Sequence, residues 1–299
     1  MGAGEPPPRF RVGVVGTGRA GSVLGAALHR AGHRVVAAYG VSDLSRVRAE
    51  ALLPETPMRA LADVVDAADL VLLTIPDDVL ADVVAGLVDT GHIRPGQLVA
   101  HASGRHGIAV LGPATRAGAL PLALHPVMTL TGTSVDLERL SGCPFGVTAP
   151  PQVRPIAEAL VVEMGGEPIW VEEEDRVLYH AALAHGSNHL VELVTQSLEL
   201  LDAAGVEDPA RLIGPLLVAT LDNALRLRGQ ALTGPVVRGD ADTVGAHLRS
   251  IEPVSAQTAR TYVELARVTA DRALATGALR ADEAERLLGV LARDGVEPR

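Results

Sequence analysis

The 299-residue sequence contains no lysine; all 26 of its Lys and Arg residues are arginine. That excludes a Schiff base, a lysine general acid and a phosphate-loop lysine. Cysteine occurs once, as Cys143, so no intrachain disulfide can form, which fits a reducing compartment. Aromatic residues make up 2%, so a core must be assembled from Ala, Val and Leu. No uninterrupted apolar run reaches the roughly 18 residues a membrane span needs, and the start "MGAGEPPPRF" lacks a basic segment followed by an apolar one. A cytoplasmic protein is the expectation. Positive charge is also short, because the net charge is −10, which argues against a nucleic-acid partner.

What is present is an ordered alternation. Short Val/Ala/Leu runs at residues 10–15, 34–39, 70–75 and 97–101 alternate with helical patterns at 20–31, 44–53, 79–89 and 152–164. Shorter strands are expected at 121–124, 145–148 and 168–171. This is the pattern of a parallel sheet with helices on both faces. After about Glu172 only helical segments follow, at 175–204, 209–229, 240–251, 254–276 and 281–292. The expected fold is therefore α/β: a Rossmann-like, doubly wound, mostly parallel sheet domain over 1–172, then an all-helical domain over 173–299. Residues 1–8 read as a disordered, Pro-rich tail.

The turn Gly16-Thr17-Gly18-Arg19-Ala20-Gly21 lies between an apolar strand and an amphipathic helix, with a second strand within about 30 residues. In that setting Gly16 permits the tight turn, Gly18 lets a pyrophosphate approach the backbone, and Gly21 lets the helix pack on the strand. The helix N-terminus supplies free N–H groups to the anion. The second strand ends "VVAAYGVSDLSRVRAE" without an acid at its tip. Ser42 and Arg46, with Ser45 and Arg48 nearby, suit a ribose 2′-phosphate, so NADP is expected; Asp43 keeps NAD as the alternative. Ile75 and Pro76, in "TIPDDVL", would neighbour the cofactor, whereas Asp77 and Asp78 start a helix.

"LVAHASGRHG" and "LALHPVMTLTG" each place polar residues beyond a strand, where ligands of open α/β sheets bind. Ser103 and His125 are candidates to hold or protonate a substrate oxygen; His101 reads as a turn residue. The helical stretch "LYHAALAHGSNHLVELV" carries His180, His185, Asn188 and His189. At about 100° per residue, Asn188 is flanked by His180 and His185. His185 and His189 at i, i+4 lack the glutamate of an HExxH pattern and a third ligand, so no metal is expected. The alternative to a site is a polar seam in a helical core or dimer interface.

With "YHAALAHGSNHLV", "LTGPVVRGD", "HASG" and "LHPVMT" added to the glycine turn, nearly the whole chain resembles bacterial Rossmann-like proteins carrying the C-terminal domain of unknown function 2520. It is similar in particular to actinobacterial members lying beside pantothenate-synthesis genes. More distantly it resembles the superfamily of 6-phosphogluconate, 3-hydroxyisobutyrate and prephenate dehydrogenases, ketopantoate reductase and pyrroline-5-carboxylate reductase. The resemblance implies hydride transfer to or from C=O or C=N on a small substrate, and a homodimer built through the helical domain. Several of those enzymes use a Lys-x-x-x-Asn pair; here Asn188 matches the asparagine and Ala184 stands where the lysine would be. Ser103 resembles their substrate-contacting serine, and His125 the prephenate-dehydrogenase histidine. The expected catalytic set is therefore His185, His180, Asn188, Ser103 and His125, with Arg238 as a further carboxylate-binding candidate. The leading expectation is an NADP-dependent reductase of a keto acid or imine, ketopantoate first. The alternatives are a catalytically silent dinucleotide sensor or assembly protein, and a prephenate-type dehydrogenase.

Overall fold

The computed structural model describes residues 9–293; the expected N-terminal tail, 1–8, lies outside the described residues. Seven strands form one sheet in the order β2-β1-β3-β4-β5-β6-β7. They are β1 (Arg11–Val15), β2 (Arg34–Tyr39), β3 (Leu70–Leu73), β4 (Leu98–His101), β5 (Leu120–Pro126), β6 (Pro144–Thr148) and β7 (Glu167–Trp170). All neighbours run parallel except β5 and β6, whose antiparallel register sets His125 opposite Gly146 and Ala123 opposite Thr148.

Alternation within the strands assigns side chains to two faces. Leu70 and Leu72 join one apolar cluster; Val71 and Leu73 join the other. The first face is covered by α1 (Arg19–Arg30) and α7 (Arg154–Glu163), the second by α3 (Leu61–Ala67), α4 (Asp77–Asp89) and α5 (Gly112–Arg116). α2 (Asp43–Leu52) follows β2, and α6 (Val135–Arg139) precedes β6. The fold is thus Rossmann-like and doubly wound, as the strand pattern predicts. Its core is aliphatic, with Phe145 the one fully buried aromatic ring among the described residues.

The helical half consists of α8 (Arg176–Ala203), α9 (Pro209–Leu227), α10 (Ala241–Ile251), α11 (Ala256–Ala275) and α12 (Ala281–Arg293). Val244, Leu248, Val263, Ala270 and Leu287 form a separate core among the last three. The compact units divide inside α8, between Gly186 and Ser187. The first turns of α8 go with the sheet because Arg176, its first residue, is buried and bonds to β5 and β6. Among the described residues no helix is long and apolar enough to cross a membrane.

Candidate functional site

The loop after β1 folds as a tight glycine turn. Gly16 has φ 99°, a conformation natural to glycine, and the amides of Gly16 and Thr17 donate to the Tyr39 carbonyl. A Cβ on Gly21 would overlap the Gly16 carbonyl and the Thr74 hydroxyl, so α1 packs on the turn only because that position is bare. Gly18 differs: a Cβ there would meet nothing within 4 Å. It caps α1 without a side-chain bond, and the first turn holds no acid. An open backbone at an uncapped helix N-terminus fits the pyrophosphate of a dinucleotide. Thr17 Oγ1, buried and unpartnered among the described residues, is a further polar group at this turn.

At the start of α2, Ser42 spends its hydroxyl capping the helix, accepting from the Ser45 amide at 3.1 Å. Ser45 itself is buried and donates to the Ser42 carbonyl. Arg46 is largely exposed and sits a loose 3.7 Å from the fully exposed Asp43. Ile75 and Pro76 follow β3, and Pro76 precedes the first turn of α4, where Asp77 and Asp78 lie.

At the ends of β4 and β5 the polar residues take different tasks. His101 is completely buried: Nε2 donates to the Gly107 carbonyl at 2.8 Å and Nδ1 accepts from the Ser103 amide. Ser103 Oγ accepts from the His106 amide at 3.2 Å, which leaves its own proton free. His125, half-buried, meets Tyr179 through Nδ1 at 2.8 Å from the phenolic oxygen, and its ring lies edge-on to His180 with centroids 6.1 Å apart. Two bare positions make room for these rings. A Cβ on Gly104 would come 2.6 Å from His180 Cδ2 and 3.0 Å from His125 Nε2; one on Gly146 would overlap the Tyr179 hydroxyl.

Arg176 lies beneath the rings. Its Nε donates to Thr148 Oγ1 at 2.7 Å and its Nη2 to the carbonyls of Ala123 and Gly146, while Nη1 is buried without a partner. Glu173, just before α8, accepts from the amides of Ile108 and Ala109, tying the helix start to the loop after β4.

Burial, reinforced by the Arg176 charge, lowers His125 to about 4; burial likewise lowers His101 to about 4, against the pull of the Gly107 carbonyl. Both values lie below the ordinary 6.5. Between 6.5 and about 4 the unfolded chain therefore binds more protons than the folded one. Stability is held above that window and lost as pH falls through it, by on the order of 3 kcal/mol per histidine. Urea unfolding at the two ends of the window measures the loss, and His101→Gln should remove about half of it. An unfolding midpoint independent of pH in this range would contradict the assignment.

The structure brings His125, His180 and Ser103 to one end of the sheet, and sets Gly16–Gly21, Ile75 and Pro76 at the same strand ends. His185 and Asn188 are exposed further along α8, and Arg238 lies in the loop before α10. Arg176 and Tyr179 did not stand out in the sequence, although with His180 they occupy i, i+3 and i+4, one face of the first turn of α8. Among the described residues no group of three or more His, Cys, Asp or Glu is arranged to hold a metal ion.

A doubly wound sheet with a glycine turn at its first strand, continued by a helical half, defines the class: a Rossmann-like two-part chain. Residues 2–126 match the model of the Rossmann-like domain and residues 143–269 that of a domain of unknown function, DUF2520. The chain is a Rossmann-like protein with a C-terminal DUF2520 domain. No curated protein sequence matches it. Among solved structures, a presumed NADP oxidoreductase from Bacteroides fragilis superposes with a TM-score of 0.75 at 23% identity, over 88% of this chain and 98% of its own. An imine reductase from Pseudomonas sp. gives 0.68 at 18%, over 95% and 100%. A reductive aminase from Aspergillus terreus, in complex with NADPH and ethyl levulinate, gives 0.65 at 15%, over 94% and 99%. At these identities the likeness is one of fold.

Proposed function

We propose that the chain is an NADP-dependent reductase of a small keto acid or imine, with ketopantoate the leading candidate. One observation carries the reading. An open, uncapped glycine turn after β1 and a half-buried cluster of proton-bearing side chains at the end of β5 share one end of one sheet. Reduction of C=O or C=N needs a hydride, which a reduced nicotinamide supplies, and a positioned proton. Gly16, Thr17, Gly18, Arg19, Ala20 and Gly21 hold the pyrophosphate, with Ile75 and Pro76 beside the cofactor. Ser42 and Arg46 take the 2′-phosphate; the loose Arg46–Asp43 pair leaves the guanidinium free to turn to it, which favours NADP over NAD. His125 and His180 face the substrate, Ser103 orients its carbonyl or carboxylate through the free hydroxyl proton, and His185 and Asn188 add polar contacts along α8. The fold likeness to an imine reductase and to a reductive aminase in complex with NADPH supports this chemistry.

The test is oxidation of NADPH by the purified chain against a panel of 2-oxo acids, ketopantoate first, and cyclic imines. Turnover on at least one is expected. Tight NADPH binding with no oxidation by any member would sink the enzyme reading. It would leave a dinucleotide-binding sensor or assembly protein, which the absence of every lysine favours.

The working form is proposed to be a homodimer through the helical half. α9 has no buried residue, and Leu212, Leu216, Val218, Leu221 and Leu225 are exposed along it. An apolar surface of this kind on a lone chain calls for a cover, and a second copy provides a self-complementary one. Equilibrium sedimentation is expected to show two chains, and the pair Leu216→Glu with Leu225→Glu to show one. A wild-type monomer at assay concentration would overturn the dimer.

A further inference from the structure

We propose that Tyr179 delivers the proton in this reduction and that Arg176, beneath it, is the positioning residue that holds the phenolate left behind; the proposal rests on the reductase reading above. Tyr179 is half-buried at the end of the sheet, and its hydroxyl is fixed by His125 Nδ1 at 2.8 Å. The hydroxyl occupies space that exists only because position 146 has no side chain. The phenol is thus both anchored and within reach of solvent.

Among the described residues the charge below it forms no ion pair. Arg176 is 1% exposed, bonds only to neutral oxygens (Thr148 Oγ1 and the carbonyls of Ala123 and Gly146), and leaves Nη1 unpaired. Glu173, whose charge acts on it, spends both carboxylate oxygens on backbone amides. A buried guanidinium without an anion is costly to keep. Its Cζ lies 5.7 Å from the Tyr179 ring centroid, so a phenolate there would supply the missing negative charge. The fold therefore keeps ready a positive charge that is compensated once Tyr179 has given up its proton, which is stabilisation directed at the charge the reaction creates.

The other candidates are less suited. The chain has no lysine. His125 is held neutral at physiological pH by burial and by Arg176, so it has no imidazolium proton to give. In the neutral tautomer protonated on Nδ1, the one this proposal requires, it donates to the Tyr179 oxygen and leaves the phenolic proton to point at a substrate. Burial raises Tyr179 and the Arg176 charge pulls it back down; Cys143, before β6, opposes that pull and the Gly146 backbone adds to it. Arg176, His125, His180 and Cys143 are the titratable or charged groups around it. The balance of the step is simple. The carbonyl carbon gains the hydride, the π pair moves to oxygen, and that oxygen takes the proton from Tyr179; solvent then reprotonates the phenolate.

The experiment compares wild type with Tyr179→Phe on the substrate that oxidises NADPH fastest. Loss of kcat by roughly 10²-fold or more is expected, the usual size of a general-acid contribution, with KM and NADPH affinity little changed. Arg176→Met should lower kcat and Arg176→Lys restore part of it. A second readout needs no turnover. The chain has only three tyrosines, so ¹³Cζ-tyrosine NMR resolves them, and the signal lost in Tyr179→Phe should titrate at higher pH in Arg176→Met. If Arg176→Met does not fold, Arg176→Lys and Tyr179→Phe carry the test. Full turnover by Tyr179→Phe, with loss in His180→Ala or His125→Ala, would hand the proton to a histidine and overturn the proposal alone. An unmoved Tyr179 titration would remove Arg176 from it. Absence of wild-type turnover on every compound would fail the reductase reading, and this proposal with it.

Discussion

Gly18→Ala is expected to leave thermal stability unchanged while weakening NADPH binding roughly tenfold or more, the effect of an overpacked contact costing about 1–3 kcal/mol. The backbone at Gly18 has φ −71° and ψ −160°, which alanine adopts, and the added methyl meets nothing within 4 Å in the free chain. In the proposed binding mode the space it fills is the space the pyrophosphate enters. Gly21→Ala reaches the same loss by another route, since its methyl overlaps the Gly16 carbonyl and the Thr74 hydroxyl. Backbone cannot swing aside as a flexible side chain can, so the turn itself must open, and stability falls together with binding. Calorimetric melting and NADPH fluorescence titration on the same two variants separate the cases. Undiminished NADPH affinity in Gly18→Ala would mean that the dinucleotide does not lie over this turn.

The geometry of these glycines explains why the turn was legible in the sequence. Each of its three glycines answers to a local demand, one for a positive φ, one for open backbone and one for close packing, and local demands leave a fixed spacing behind. The strands were legible for a similar reason: a parallel sheet covered on both faces forces continuous apolar runs such as Leu70–Leu73. The short α3, α5 and α6 were not, because 5 to 7 residues carry too little periodicity to register.

The ring cluster was only half legible. His125 and His180 stood out as polar residues in apolar surroundings, but what joins them is the antiparallel register of β5 with β6 and the bonds of Arg176 that tie the first turn of α8 to those strands. Neither is written locally. Arg176 looked like one of many arginines, and nothing in "EEEDRVLYH" shows that its guanidinium goes to the carbonyls of β5 and β6 while Glu173 goes to the amides after β4. Gly104 and Gly146 were equally silent, since their meaning lies in rings that arrive from other elements.

Those two glycines give the second large effect. Gly146→Ala should cost on the order of 10²-fold in turnover, because misplacing a reacting group by about 1 Å is enough for that. Its methyl overlaps the Tyr179 hydroxyl, and the ring must shift away from His125 and from the reach of the substrate. The atom it meets is the far end of a side chain, so the fold can yield: unfolding free energy should drop by no more than about 1–3 kcal/mol. Gly104→Ala should act in the same way by driving His180 and His125 apart. Gly86→Ala is the control, a bare and exposed position inside α4 where a methyl meets nothing, and it should be stabilising by roughly 0.5–1 kcal/mol with turnover intact. If Gly146→Ala and Gly104→Ala lose stability as steeply as they lose turnover, the rings are there to hold the sheet edge together. If turnover alone collapses, the space those glycines leave exists for the chemistry, and the position of Tyr179 within it sets the rate.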